Sequence, residues 1–414
     1  MHRAQAAASL AELEKLAVKA LHTHLPAARE LRRTIHSDPH VGGDERATAK
    51  LVKDVLDLPT DDVAEGAVLR IGDSGPVIAV RAELDALPIT EESGAEWASR
   101  RPGVAHLCGH DVHIAALVAV TQTLQDVSAP ASLVAVFQPR EEVIPSGAPD
   151  VCAAPAFTRH GIDAVVGVHV QPQLRAGAVS VGAGAINASV DDFEITVTGK
   201  PAHGGYPHLG RDPVVASAAL IQSLQHLVSR RSNPLEPAVV TVGTIAGGSS
   251  VNQVAPSVSL HGTVRSLDER QREELLGWLD EAAQGVAAAH GCRATVSVRR
   301  GEPVLRNDPD LAARISTRLA AHGMAEGAVF RSCGADDFAY YAESFPSVMI
   351  FAGVDGNGGP GLHHPQFLPP DRTVDFVARI MLHSFFALAD GGPSRRTHER
   401  SLQHEEEGFP YSRE

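Results

Sequence analysis

The order in which strand-like and helix-like stretches follow one another limits this chain more than any other feature. Leu10, Leu13, Leu16 and Ala17 recur at helical spacing, and Ala27, Leu31 and Ile35 continue the pattern until Pro39 stops it. Two apolar strand-like stretches follow, at 67–71 and 77–81, divided by the turn-forming Gly72-Asp73-Ser74-Gly75-Pro76. Residues 113–124 read as a buried helix, and 133–137 and 163–170 as buried strands. Strands alternating with helices predict an α/β/α layered domain built on a largely parallel sheet.

The rhythm then changes. Phe193, Ile195 and Val197 alternate as a half-exposed strand, and Pro213 opens a helix reaching about Ser229. Strands are expected at 238–244 and 258–266, a helix capped by Asp268 runs to His290, and a strand at 294–298 closes the set. This β-α-β-β-α-β order is the split ferredoxin-like pattern, so residues 186–299 are expected to be an inserted α+β domain. The α/β pattern resumes with a helix at 311–322, a strand at 347–352 and a helix at 373–388. Residues 1–185 and 300–392 then form one discontinuous catalytic domain, and the charged segment 393–414 is expected to be a mobile tail. Strand ends facing the hinge between the two domains are the expected place for a site.

Charge and composition narrow the function classes. With 36 basic and 50 acidic side chains the net charge is −14, which repels phosphate backbones and argues against a nucleic-acid partner. No apolar run of about 18 residues is present, and Glu12, Glu14, Lys15 and Lys19 break any signal-peptide core, so no membrane association and a cytoplasmic location are expected. Four scattered cysteines do not make a disulfide framework, whereas 21 histidines invite a search for metal ligands.

Four short stretches carry candidate chemistry. In Cys108-Gly109-His110-Asp111 a thiolate and an imidazole two residues apart can reach one metal or a close pair, with Gly109 relieving crowding. In Gln138-Pro139-Arg140-Glu141-Glu142 two adjacent carboxylates point in different directions, so one can coordinate while the other handles a proton. His169 lies within an apolar strand, and Leu362-His363-His364-Pro365 follows a glycine-rich loop. Taken singly, each has an ordinary reading: a buried cysteine, a solvated acidic turn, a core histidine, a simple turn. Together, Cys108, His110, Glu142, His169 and His363 offer five sulfur, nitrogen and oxygen ligands, a set suited to two divalent ions that share and acidify a water. Glu141 then stands beside a ligand yet free to act as base. His203, His208, Asn252 and Arg265 in the insert are further candidates, each also readable as a solvated loop or strand-end residue.

Seven motifs in order identify a resemblance: Arg81-Ala82-Glu83-Leu84-Asp85-Ala86-Leu87-Pro88, Cys108-Gly109-His110-Asp111, Phe137-Gln138-Pro139-Arg140-Glu141-Glu142, Gly199-Lys200-Pro201-Ala202-His203, Gly262-Thr263-Val264-Arg265, Gly334-Ala335-Asp336-Asp337-Phe338 and Leu362-His363-His364-Pro365. Across about residues 28–390 the chain resembles the M20 metallopeptidase and amidohydrolase family, in the branch of hippurate hydrolases, N-acyl amino acid amidohydrolases and auxin-conjugate hydrolases. The resemblance implies a catalytic domain with an inserted lid and dimerisation domain. It also implies two divalent ions per subunit (Zn, Mn, Co or Ni), a small-molecule amide substrate and a homodimer through the insert. It casts Cys108 as the bridging ligand, His110 and Glu142 as ligands to one and the other ion, and His169 and His363 as the rest of the set. Glu141 is cast as general base, and His203 as an oxyanion stabiliser reaching a neighbouring subunit's site. Asn252 and Arg265 would hold the substrate carboxylate, and Asp85 would orient a ligand imidazole.

Two departures stand out. Glu83 replaces the branch's usual Asp, and His203 is followed by Gly204-Gly205, with Pro201 in place of a Gly. The expected activity is hydrolysis of N-acyl amino acids, hippurate-like or acetylated. A dipeptidase, carbamoyl-hydrolase or desuccinylase using the same centre is the alternative within the class, and a non-catalytic metal-binding homologue the alternative outside it.

Overall fold

The computed structural model describes residues 2–355 and 358–390; the segment 393–414, expected as a tail, lies outside the described residues. An eight-stranded sheet forms the larger layer. Its centre is four parallel neighbours in the order Ser132–Gln138, Val77–Glu83, Ala164–Arg175 and Ser347–Asp355. Both flanks turn antiparallel, through Gly66–Ile71 on one side and Ala178–Ser180 on the other. The expectation of a largely parallel sheet therefore holds for the four central strands and for the outer pair Ala178–Ser180 with Ala325–Glu326, and fails where the two flanks join the centre.

Central strands read as unbroken apolar runs because both sheet faces are covered. Helices His2–Ser37, His110–Asp126, Pro309–Ala321 and Arg372–Ala389 pack on one face, burying Leu21, Ile35, Leu117, Ile315 and Phe386. Ala148–Ala153 and Ala339–Ser344 cover the other face around Phe157, Phe338 and Tyr341. Helix His110–Asp126 is buried along most of its length, which explains why its sequence is apolar all round instead of striped. Truncating a side chain such as Leu117 to Ala would cost about 2–5 kcal/mol.

A second, four-stranded antiparallel sheet has the order Ala238–Gly247, Ser257–Ser266, Ser189–Thr198, Arg293–Arg300. Helices Pro213–His226 and Glu269–Ala289 cover one face, over Phe193, Ile195, Val197, Leu260 and Val264. Asp212 and Asp268 cap them, accepting from Val214 N and Gln271 N. The first helix stops at His226, earlier than its apolar pattern suggests, and ends in a π-turn at Leu227–Arg231. The two sheets join where segments near Val190 and Glu302 run side by side: Val190 N donates to Glu302 O at 3.0 Å and Gly301 N to Val190 O at 3.1 Å. Among the described residues, no helix is long and apolar enough to cross a membrane.

Candidate metal centre

The carboxyl ends of the parallel strands and the loops beyond them bring the chemistry together. Cys108 and His110 flank Gly109, whose φ is +89° and where a Cβ would lie 2.4 Å from Val170 Cγ2. Any other residue would be strained there and would collide with the strand carrying His169. That is the physical reason for glycine between the two candidate ligands. His110 opens its helix and donates from Nδ1 to the Asp85 carbonyl at 2.8 Å, leaving Nε2 turned to the site. The Asp85 carboxylate accepts from Glu142 N at 2.8 Å, tying the loop of Glu141 and Glu142 to the same support. Glu45 holds that loop from the other side, accepting from Arg140 N at 2.7 Å. Arg140 and His363 both adopt positive φ, at +57° and +64°, conformations a non-glycine residue takes only when its surroundings impose it. His363 N is pinned to Leu107 O at 2.9 Å, next to Cys108.

The resulting distances are short. Cys108 Sγ lies 3.4 Å from His169 Nε2, whose Nδ1 donates to Val170 O at 2.7 Å. His363 Nε2 lies 3.2 Å from Glu142 Oε1, and His110 Nε2 lies 3.8 Å from Glu141 Oε2 and 4.0 Å from Glu142 Oε1. Ligand atoms of Cys108, His110 and His169 fall within 4.8 Å of one another, as do those of Cys108, Glu142 and His363. Two three-ligand groups therefore share one thiol. His110 Nε2 and Glu142 Oε1 are buried with no hydrogen-bond partner, an arrangement that is costly unless another group binds them.

The electrostatics ask for cations as well. Burial, then Glu142, Asp336 and Asp337, push the Glu141 carboxyl well above the usual carboxylate range. Burial, then Glu142 and Glu141, push the Cys108 thiol up. Burial opposes a charge on His110, but Asp85, Glu83 and Glu142 outweigh it and raise its pKa to about 10. Burial and then His113 lower His169 to about 4. A thiol, a carboxyl and an imidazole that all hold protons in one dry cluster mark a surplus of negative charge that divalent ions would neutralise. The donor set and the orphaned atoms fit such ions.

Support for the cluster includes residues to which the sequence reading gave no role. Arg81, fully buried at the end of an apolar strand, donates to Glu83, to Gln138 Oε1 at 3.0 Å, to Asp336 Oδ1 at 3.2 Å and to Asp337 Oδ1 at 2.6 Å. Glu83 in turn accepts from His113 Nδ1 at 2.9 Å, and His113 Nε2 accepts from Val170 N at 3.0 Å. Both His113 nitrogens are thus used, and this histidine braces the strand next to His169 instead of facing the centre. Its position three residues after His110, on one helix face, was the available signal.

Beside the cluster the cleft has two lobes. One, of ≈ 290 Å³, has apolar walls at Phe330, Phe351 and Leu362 with Gln171 and Asn187 among them. The other, of ≈ 430 Å³, is lined by Arg265, Asp192, Glu302 and Ile144; Glu141, Glu142 and His363 border both lobes. Arg265 gives one N–H to Cys333 O at 3.0 Å. The structure therefore gathers Asp85, Cys108, His110, Glu141, Glu142, His169, His363 and Arg265. His203 and Asn252 line neither lobe. They sit together on an exposed ribbon, where His203 pairs with Gln253 and Gly204 N donates to Asn252 O at 2.7 Å. His208 is exposed on the same projection.

Comparison with known proteins bears on what this cleft does. Peptidase family M20/M25/M40 matches residues 79–385. The chain is similar to the N-acetyl-L-cysteine deacetylase of Bacillus subtilis (strain 168), 36% identical over 87% of this chain and 88% of that protein. A second protein of that strain, an N-acetylcysteine deacetylase, is 33% identical over 90% of this chain and 97% of its own. Among solved structures, a Bacillus subtilis protein described as a dinuclear metal-binding peptidase from the M20 family has 30% identity. It superposes with a TM-score of 0.76 over 90% of this chain and 98% of that one.

Proposed function

Because the chain belongs to peptidase family M20/M25/M40 and is a metal-dependent amidohydrolase, we propose that it hydrolyses the amide bond of N-acyl amino acids, acetylated or hippurate-like. The observation that carries this reading is the convergence of four ligand-type side chains, His110, His169, Glu142 and His363, on the Cys108 thiol, with Glu141 beside them and Arg265 across the adjoining lobe. Cys108, His110, Glu142, His169 and His363 would hold two divalent ions, drawn from Zn, Mn, Co or Ni. Such ions supply Lewis-acid charge that polarises an amide carbonyl and makes a neighbouring water more acidic.

The protein's own groups do the rest. Arg265 takes the substrate carboxylate in a charge-assisted contact, which fixes the scissile amide over the cluster and sends the acyl group toward Phe330 and Phe351. Glu141 removes a proton from the attacking water and returns it to the leaving nitrogen. Burial and the neighbouring Glu142, Asp336 and Asp337 hold the Glu141 carboxyl high, and cations held by the five ligands would offset that charge and favour its carboxylate form. His203 and Asn252 serve the site of a second copy: His203 donates to the developing oxyanion and Asn252 helps hold the carboxylate.

Residues 186–299 act as the lid and dimerisation domain in this reading. Ala238–Gly247 is an edge strand of the second sheet and carries the exposed Ile245, and Leu209, Val215 and Val251 are exposed elsewhere in the same segment, apolar surface that a homodimer would cover. The test is a panel of N-acetyl amino acids, hippurate, dipeptides, carbamoyl- and succinyl-amino acids with metal-loaded protein. Turnover confined to the acyl-amino acids supports the reading. Preference for dipeptides, or silence on every amide, refutes it.

A further inference from the structure

The larger lobe holds one carboxylate that, among the described residues, has no side-chain hydrogen bond and no ion pair. Glu302 is 7% exposed, and it lines the lobe with Arg265 and Asp192. Its backbone is locked at the crossing between the two sheets, where its carbonyl accepts from Val190 N at 3.0 Å. Every other acid on that wall is accounted for. Asp192 is paired with Arg299, Asp336 and Asp337 with Arg81, and Glu141 and Glu142 belong to the metal cluster. Glu302 makes no hydrogen bond to another side chain and no ion pair within 4 Å among the described residues; its own backbone amide donates to it, and the Arg265 charge acts on it across the lobe until a substrate carboxylate takes that guanidinium. Burial, aided by Asp336, raises its pKa, the direction expected of an acid waiting for a cation.

Resting on the functional reading above, we propose that Glu302 selects N-acyl amino acids whose side chain ends in an ammonium or comparable cationic donor. Arg265, with one N–H on Cys333 O and the rest of its guanidinium free, takes the α-carboxylate. The α-nitrogen is acylated and neutral, so the positive charge that answers Glu302 has to come from the side chain. Two opposite charges on one lobe wall thus read two opposite charges on one substrate. An uncharged side chain leaves the buried carboxylate unsatisfied, and that penalty supplies the discrimination.

The experiment compares kcat/KM for Nα-acetyl-L-lysine and N-acetyl-L-norleucine, which are close in length and differ in the terminal ammonium. Wild-type protein should favour the lysine derivative by roughly tenfold or more, the scale of one charge-assisted contact. Glu302→Gln should bring the ratio close to one, and Glu302→Asp should leave it in between. A wild-type ratio near one overturns the proposal without any variant, and so does a preference that Glu302→Gln leaves intact. Turnover of both compounds with no preference sinks this inference while the functional reading stands; turnover of neither sinks both.

Discussion

Replacing Glu141 by Gln separates catalysis from metal holding and from folding in one variant. The side chain is 11% exposed, with Oε2 3.8 Å from His110 Nε2; it belongs to neither of the two candidate ligand groups that share Cys108 and forms a third group with His110 and Glu142, which is why metal content has to be measured beside turnover. Removing a general base of this kind slows turnover by about 10²- to 10⁴-fold, or about 3–5 kcal/mol of barrier. Metal content should stay at the wild-type value. Stability should move the other way. The folded protein holds this carboxyl well above the usual range, through burial and then Glu142, Asp336 and Asp337. An acid whose folded pKa is raised destabilises the fold as pH climbs above its unfolded value of about 4.5. Metal-free Glu141→Gln should therefore resist urea better than metal-free wild type at pH 8, with the gap closing toward pH 4.5. The assays are initial rates on an N-acetyl amino acid, elemental analysis, and urea curves in chelator. Near-normal turnover refutes the base assignment, lost metal shows Glu141 to be a ligand, and a less stable metal-free variant refutes the electrostatic account.

Arg265→Ala should lower kcat/KM about 10- to 100-fold on substrates with a free carboxylate and much less on their amide-capped forms; equal losses would remove the clamp. Glu14, 2% exposed, accepts from Arg318 and from His383 Nδ1 at 2.8 Å, and although burial opposes it these partners lower its pKa to about 2. Its stabilisation, about 3 kcal/mol, is present above pH 4.5 and is lost as pH falls toward 2. Urea curves of wild type and Glu14→Gln should differ by about that amount at pH 7 and converge in acid; a constant gap would contradict the linkage. If His203 serves the neighbouring subunit, mixed dimers of His203→Ala and Glu141→Gln rebuild one intact site. Co-expression should then recover about a quarter of wild-type activity, whereas a cis role recovers none.

Much of the candidate site could be read from residue type and order because metal-binding side chains are rare and chemically distinct. Cys108, His110, His169 and His363 stand out against apolar or glycine-rich neighbours, and their convergence follows once the strands are parallel. What holds them was harder to see. The need for Gly109 comes from Val170, sixty-one residues further along, and no local pattern carries that contact. Arg81 looks like an ordinary strand end, yet its four acceptors arrive from three separate segments. Glu302 is silent in sequence, since its meaning lies in lining the lobe with no side-chain hydrogen bond, which only packing shows. The antiparallel sense of the flanks escaped because direction is set by partners far along the chain, as where Gly66–Ile71 pairs with Ser132–Gln138. Strands as short as Ala178–Ser180 carry too few residues for a period to register.

Anomalous diffraction from crystals loaded with manganese, cobalt or zinc tests the central claim most directly. The account predicts two peaks per chain, one contacting His110 and His169 and the other Glu142 and His363, both adjoining Cys108 Sγ, with Glu141 close by and uncoordinated. Peaks confined to the distant Glu14–His322–His383 group, or Glu141 itself bonded to an ion, would contradict it.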